Sequence, residues 1–330
     1  MKLKDEIFRQ LLSNRDVYLS GEQLAEKLGI SRNAVWKAVK QLQAEGYDIN
    51  AVTNRGYQLG ALPDMLNAGV IRIGLENAPE TLTLEVKDSI SSTNTFLKEH
   101  SSSYATHDHL LIANEQTEGR GRMGRSFHSP ASGGIYMSYL LHPQISASEA
   151  LYLTTSIAAA TARAIEDVCG ISAKIKWVND IIVNSRKACG ILTEAVVNFE
   201  TGGLEYAIVG IGINVEEPED GYPDDIKNVA GALYRHGEVP EGIKNKLVAA
   251  ITDYFYEYYN SINEKTFLEE YKKRSCIVGE EIDVIDNIFE PGKRVRATAL
   301  SIDDECHLVV KYENGSTGVL SSGEVSVRKR

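Results

Sequence analysis

Residues 119–125 read Gly-Arg-Gly-Arg-Met-Gly-Arg. Glycines at 119, 121 and 124 free the backbone to wrap closely around a ligand. Arg120, Arg122 and Arg125 bring three guanidinium groups suited to phosphate or carboxylate. A packed core has no use for that alternation. A nucleic-acid contact or a tail fragment shares the composition, but the position deep inside the chain favours a ligand-ordering or catalytic loop. Three further runs carry chemistry. In Lys176-Trp-Val-Asn-Asp180 the Asn179-Asp180 pair ends a strand or forms its turn. A carboxylate there would suit a magnesium ion, a sugar or a base, and a plain Asn-Asp turn is the competing reading. Lys187 would meet charge developing on a phosphoryl or carboxylate group, although its spacing fits an ordinary hairpin lysine equally well. Gly210-Ile-Gly-Ile-Asn214 puts two glycines into an apolar strand, where they weaken it and admit a ligand closely.

The elements that must hold these runs are mixed. Strand patterns cover 82–86, 110–114, 133–141, 174–178, 180–183, 189–198 and 206–213. Ser91-Ser-Thr-Asn94 caps a helix reaching about residue 99, and 147–168 reads as a long helix. Residues 224–235 read as a short helix, 240–259 as a stronger one, and 264–273 as further helix. Predominant sheet with one or two long packing helices makes this region α+β. No obvious helix follows the glycine/arginine loop, which argues against a dinucleotide-binding unit. No Gly-Lys-Ser or Gly-Lys-Thr occurs, so a P-loop is absent. From 279 onward short β segments at 281–285, 294–302, 308–312, 318–320 and 325–328 predict a small five-stranded barrel.

The first sixty residues have a different organisation. Ile7, Phe8, Leu11 and Leu12 form one helical face. Ser20 and Gln23 make a capping box for a second helix, Gly29 turns the chain, and Ser31 caps a third. Val35, Val39 and Leu42 stripe that third helix inward, and Trp36 reads as a packing residue rather than a base reader. Ser31, Arg32, Asn33, Lys37 and Lys40 are left for DNA, with a β-hairpin wing presenting Arg55. This is the order of a winged helix-turn-helix, and a helical protein-interaction module is the blander alternative.

Bulk composition limits the partners. Residues 1–60 hold 9 Lys or Arg against 7 Asp or Glu, while the rest holds 26 against 39. A net charge of −11 excludes indiscriminate whole-surface nucleic-acid binding and leaves a local basic face. Cys169, Cys189, Cys276 and Cys306 are far apart without a CxxC pair, which suits a reducing compartment rather than a zinc or disulfide framework. The amino end has no signal-peptide core, and the uncharged run 151–162 is too short for a membrane. These features predict a cytoplasmic protein without a membrane partner.

With its motifs in this order, the chain resembles the biotin–protein ligases in the two-function form that also represses biotin genes. The run 119–125 matches that family's biotin and adenylate loop, and Ser92-Thr-Asn94 with Gln116 its upstream ligand contacts. Lys176-Trp-Val-Asn-Asp180, Lys187-Ala-Cys-Gly-Ile-Leu192 and Gly210-Ile-Gly-Ile-Asn214 follow in family order, and Gly323-Glu-Val-Ser-Val-Arg328 resembles its end. Val178 stands where many relatives have proline, and Phe127 where tryptophan is frequent. Nearly the whole length is covered. Members with enzyme activity alone lack the head.

The resemblance implies an α+β chain of three parts. These are a winged helix-turn-helix (1–62), a central mixed-sheet domain like the class II synthetases (63–274) and an SH3-like β-barrel (275–330). It implies that magnesium-bound ATP and biotin form biotinyl-5'-adenylate, and that a lysine of a biotin carboxyl carrier domain then takes the biotin. Lys187, Arg120 and Arg122 would carry catalysis. Ser92, Thr93, Asn94, Gln116, Gly119, Gly210 and Gly212 would hold biotin beside those three. Arg122, Arg125, Phe127, Asn179, Asp180, Asn214 and Arg328 would hold nucleotide, with Asp180 next to the metal. A homodimer binding operator DNA completes the expectation. A lipoate–protein ligase and a non-catalytic biotin or adenylate sensor are the alternatives.

Overall fold

The computed structural model describes residues 3–44, 46–60, 66–131, 133–198, 200–286, 293–321 and 324–327. The amino-terminal head packs α1 (Leu3–Ser13), α2 (Gly21–Leu28) and α3 (Arg32–Ala44) against a hairpin of β1 (Ile49–Val52) and β2 (Gly56–Leu59). The expected capping box is present. Ser20 Oγ accepts from Gln23 N at 3.0 Å, while Gln23 Oε1 accepts from Ser20 N at 2.8 Å. Gly29 ends α2 in the left-handed conformation, and Ser31 Oγ accepts from Ala34 N at 3.2 Å at the start of α3. Val35, Ala38, Val39 and Leu42 fill the core with Ile7, Phe8 and Leu11. Ser31, Arg32, Asn33, Lys37 and Lys40 are exposed, as the helix-turn-helix reading requires. Arg55 lies at the wing tip with its guanidinium over the Tyr18 ring, 4.5 Å from the centroid. Trp36 departs from expectation: it is half exposed, because the inward face of α3 is already filled by its neighbours.

A short helix, α4 (Ala68–Ile73), joins head to body. Its Val70 and Ile73 belong to the head's core, while Ile71 belongs to the central one. Asn67 caps α4 by accepting from Gly69 N and Val70 N, and it also accepts from the Tyr47 hydroxyl at 2.7 Å. On the other side Asn67 N donates to the buried Asn245 Oδ1 at 2.8 Å.

The body is built on a seven-stranded sheet. Its strands are β3 (Thr83–Lys87), β4 (His109–Ala113), β5 (Gly134–Leu141), β6 (Lys174–Lys176), β7 (Asp180–Val183), β8 (Arg186–Val197) and β9 (Leu204–Asn214). They lie in the order β3-β4-β5-β9-β8-β7-β6, with β3 parallel to β4 and the other neighbours antiparallel. Strand alternation sorts the side chains. Met137, Tyr139, Val209, Ile211 and Ile213 join the large core beneath α6 (Leu151–Cys169) and α7 (Ile243–Tyr259). Leu111, Leu140 and Ile208 face the other way, against Leu97 of α5 (Thr93–Glu99). Ser138, Gly210 and Gly212 therefore share the α5 side. No helix among the described residues is long and apolar enough to cross a membrane.

One expected element needs correction. Residues 224–235 form turns, not a helix. Their backbone is taken by the sheet: Lys187 N donates to Val229 O, Gly231 N to Lys187 O and Leu233 N to Asn214 O. The carboxy-terminal strands, β10 (Glu281–Asp286) to β14 (Glu324–Val327) by way of β11 (Lys293–Ile302), β12 (Leu308–Tyr312) and β13 (Thr317–Leu320), form an antiparallel sheet ordered β13-β12-β11-β10-β14. These five strands are the small β unit expected at the carboxy end. That sheet is tied to the body at several points. Trp177 Nε1 donates to Cys306 O at 3.0 Å, and Lys265 and Lys272, the latter on α8 (Leu268–Lys273), pair with Glu305 and Asp304 at 2.8 Å each.

His109, at the start of β4, is 2% exposed, and neither ring nitrogen has a hydrogen-bond partner. Burial holds its pKa below the ordinary histidine value against the pull of the Glu85 carboxylate 3.6 Å away, while Lys87 adds to the lowering. The unfolded imidazole takes a proton below about pH 6.5, but the folded one resists until lower pH. Stability contributed by neutral His109 is therefore present above that pH and lost as pH falls toward the lowered pKa. Urea midpoints should fall more between pH 7.5 and 5.5 for the native chain than for His109→Phe. Parallel pH dependences would contradict this.

Candidate active site

One cavity of about 1010 Å³ opens between the α5 side of the sheet, the 119–127 loop, the 225–230 turns and the carboxy-terminal sheet. Its floor owes its depth to glycine. A methyl group on Gly210 would collide with the Asn94 side-chain oxygen, and one on Gly212 with the Phe127 ring. Beside the floor lies a polar wall. Gln116 Oε1 accepts from Thr93 N at 2.8 Å and from the Thr93 hydroxyl at 3.0 Å, while Gln116 Nε2 donates to Ser129 Oγ at 3.3 Å. Ser138 Oγ lies 2.6 Å from Thr93 Oγ1 and 2.7 Å from Asn94 Oδ1. Asn94 Nδ2 donates to Glu194 Oε2 at 2.9 Å, which fixes the amide's orientation. Ser92 caps α5, its Oγ accepting from Thr95 N. Held donors and acceptors of this kind suit a small, planar, neutral ligand with both functions.

The 119–127 segment is a tight hairpin across which Phe127 N donates to Gly119 O at 2.8 Å and Gly121 N to Arg125 O at 2.7 Å. Gly119 does not line the cavity. It is glycine because a side chain would strike Ser129 Oγ and Phe127 O, so it lets the two arms close. Gly119, Gly121 and Gly124 have the G-x-G-x-x-G spacing, yet β5 follows and no helix opens at the loop, which separates it from a dinucleotide turn. At the tip, Met123 adopts a left-handed conformation and is exposed. Arg120 lies 3.6 Å from Glu194, and Arg122 Nη1 donates to Asn179 Oδ1 at 3.1 Å. Arg125 is exposed on the cavity side.

Lys187 faces the cavity from the start of β8, its Nζ 2.6 Å from Asp180 Oδ1. Gly190 gives it room, since a side chain there would come within 3.0 Å of Lys187 Cε. Asp180 thus serves as the partner of Lys187, and no cluster of three or more His, Cys, Asp or Glu that would hold a metal occurs among the described residues. Asn179 is committed on both sides, to Arg122 and through Nδ2 to Ile191 O at 2.8 Å. Asn214 lines the cavity but spends its Nδ2 on Gly231 O. Arg328 lies outside the described residues. Cys189, within the Lys187–Leu192 run, is fully buried and burial pushes its thiol up, so no thiolate nucleophile is present there. Apolar Val284, Ile285, Val295, Tyr312, Val319 and Leu320 wall the cavity from the carboxy-terminal sheet.

Ser138, Ser129 and Glu194 were missed by sequence reasoning. Ser138 is the small polar side chain in an apolar strand, and Glu194 the charge in another; these were the available signals.

Residues 86–214 match the biotin/lipoate A/B protein ligase family, residues 4–58 an HTH domain, and residues 278–328 the biotin protein ligase C-terminal domain. The chain is 40% identical over 228 residues to the bifunctional ligase/repressor BirA of Bacillus spizizenii, covering 69% of each protein. The chain belongs to the bifunctional biotin–protein ligase and repressor family. Another relative of this ligase, the bifunctional ligase/repressor BirA of Salmonella typhimurium, is 27% identical over 314 residues, 94% of this chain and 93% of that one. The solved biotin protein ligase from Aquifex aeolicus in complex with biotin and ATP superposes with a TM-score of 0.58 at 26% identity. It spans 75% of this ligase and 99% of that chain.

Proposed function

We propose that the cavity performs both half-reactions of ATP-dependent biotin ligation, and that the head makes the same chain a biotin-responsive repressor. One observation carries the catalytic reading. Lys187 and the Arg120–Arg122 hairpin face a single cavity whose floor is kept open by Gly210 and Gly212. The polar wall of Thr93, Asn94 and Gln116, with Ser92 beside it, is suited to the ureido ring of biotin. The biotin carboxylate is then directed toward Lys187. That carboxylate attacks the α-phosphorus of ATP, pyrophosphate leaves, and the mixed anhydride biotinyl-5'-adenylate forms. A neutral lysine amine of the carrier domain attacks the anhydride carbonyl. AMP departs with the bonding pair, the attacking nitrogen gives up one proton to water, and an amide remains.

Both nucleophiles come from substrates, so the chain supplies placement and positive charge. Lys187 offsets charge on the carboxylate and the phosphoryl oxygens, Asp180 aims it, and Asn179 aims Arg122. Arg125, Phe127 and Asn214 belong to the nucleotide side, as does Arg328. Magnesium would arrive with the ATP phosphates rather than in a cage of protein ligands, because Asp180 is engaged by Lys187. The parts 1–62, 63–274 and 275–330 divide the labour as head, catalytic body and closing sheet. Two copies of this cytoplasmic chain pair so that their heads meet a two-fold operator.

Incubation with ATP, magnesium, biotin and a biotin carboxyl carrier domain should add one biotin to the carrier's intact mass. The addition should vanish without ATP or without the acceptor lysine. An unmodified carrier that a control ligase does modify would sink the reading, and lipoate in place of biotin tests the related acyl chemistry.

A further inference from the structure

We propose that Trp36 reads sequence by placing its indole against a thymine methyl group in the major groove. The proposal rests on the DNA-binding reading of the head and names a residue within it. Of the two tryptophans in the chain, Trp177 is 3% exposed and Trp36 is 50% exposed. Tryptophan is usually well covered, and here the cover is not missing by default. Val35, Ala38, Val39 and Leu42 already close the inward face of α3. Among the described residues the Trp36 indole has no hydrogen bond, ring stacking or cation–π partner.

Its surroundings select the partner. Arg32 precedes it by one turn and Lys40 follows by one turn, while Asn33 and Lys37 lie alongside, all exposed. No acidic residue occurs anywhere in α3. A large apolar ring framed by cations fits a surface that is anionic at its edges and has apolar points between them, which describes a duplex. The cations take the phosphates and fix register, whereas the ring has nothing to offer a phosphate. In the major groove the thymine 5-methyl is the apolar group that distinguishes one base pair from the others.

The test uses the full-length chain with ATP, magnesium and biotin. A duplex selected by the native protein from a random library serves as probe, with a scrambled duplex as reference. Trp36→Ala should weaken binding to the selected duplex about 10- to 100-fold and to the scrambled one less than about threefold, with the salt slope unchanged because no phosphate contact is lost. Replacing individual thymines by deoxyuridine should reproduce the loss in the native chain at one or two positions. The same replacements should be silent in Trp36→Ala. Thermal unfolding of the variant, and partial recovery in Trp36→Phe, exclude misfolding. Equal losses on both duplexes, additive deoxyuridine losses, or a variant altered in self-association but not in DNA binding would overturn the assignment. Failure of the native chain to select any duplex would instead overturn the DNA-binding reading, and this inference with it.

Discussion

Lys187→Met forms biotinyl-adenylate roughly 10²–10³-fold more slowly than the native chain, the usual cost of removing one charge-stabilising group from a preorganised site. The geometry adds a second effect. Asp180 sits 2.6 Å from Lys187 Nζ, so removing the ammonium leaves a carboxylate facing an incoming carboxylate and phosphates. Two like charges at that range oppose binding as well as reaction. Asp180→Asn combined with Lys187→Met should therefore lose less than the sum of the separate losses, because the uncompensated charge is gone. The Lys187 side chain is about a third exposed, so thermal stability should change little. Pyrophosphate release in single-turnover experiments is the measurement. A rate within about threefold of native would remove Lys187 from the chemistry.

Gly210→Ala should weaken biotin binding about thirtyfold, corresponding to about 2 kcal/mol, the scale of a broken buried polar contact. The added methyl meets the Asn94 side chain, and the strand cannot withdraw. Residue 210 is paired with Ser138 on one side and Leu192 on the other. Asn94 must rotate instead, giving up its donation to Glu194 and its contact with Ser138. The unfolding temperature should fall too, since Ser138 is fully buried. Isothermal titration with biotin and a melting curve decide the matter. Native affinity in a stable variant would mean that Asn94 is not part of the biotin wall. Gly212→Ala provides a contrast, because its obstacle is the Phe127 ring rather than the Asn94 amide.

Where chemistry was local, the sequence was legible. The capping box of Ser20 and Gln23, the inward stripe of α3, the alternation of β9 and the glycine/arginine hairpin all follow from residues a few positions apart. Contacts across long separations were not legible. Nothing near Glu194 in sequence indicates that it gathers Asn94, Arg120 and Lys98. The pairing of Asp180 with Lys187 was not legible either, because a turn separates the two. The helix expected at 224–235 failed for a similar reason: its hydrogen-bonding groups are claimed by Lys187 and Asn214, which local propensity does not register. Trp36 was placed inside by its chemistry and outside by the prior occupation of the core.

The short helix α4 bears on how such a chain is inherited. Two of its apolar side chains plug the head and a third plugs the body, so the seam between the two functions is a shared wall rather than a tether. A head exchanged between relatives by cutting at residue 60 would arrive lacking Val70 and Ile73, while the recipient would offer it foreign ones. Carrying α4 along repairs the head and unseats Ile71 from the body. Heads and bodies of this kind are therefore bound to drift together, each side of the wall constraining substitutions on the other. Recombination that treats them as separable modules would select against itself.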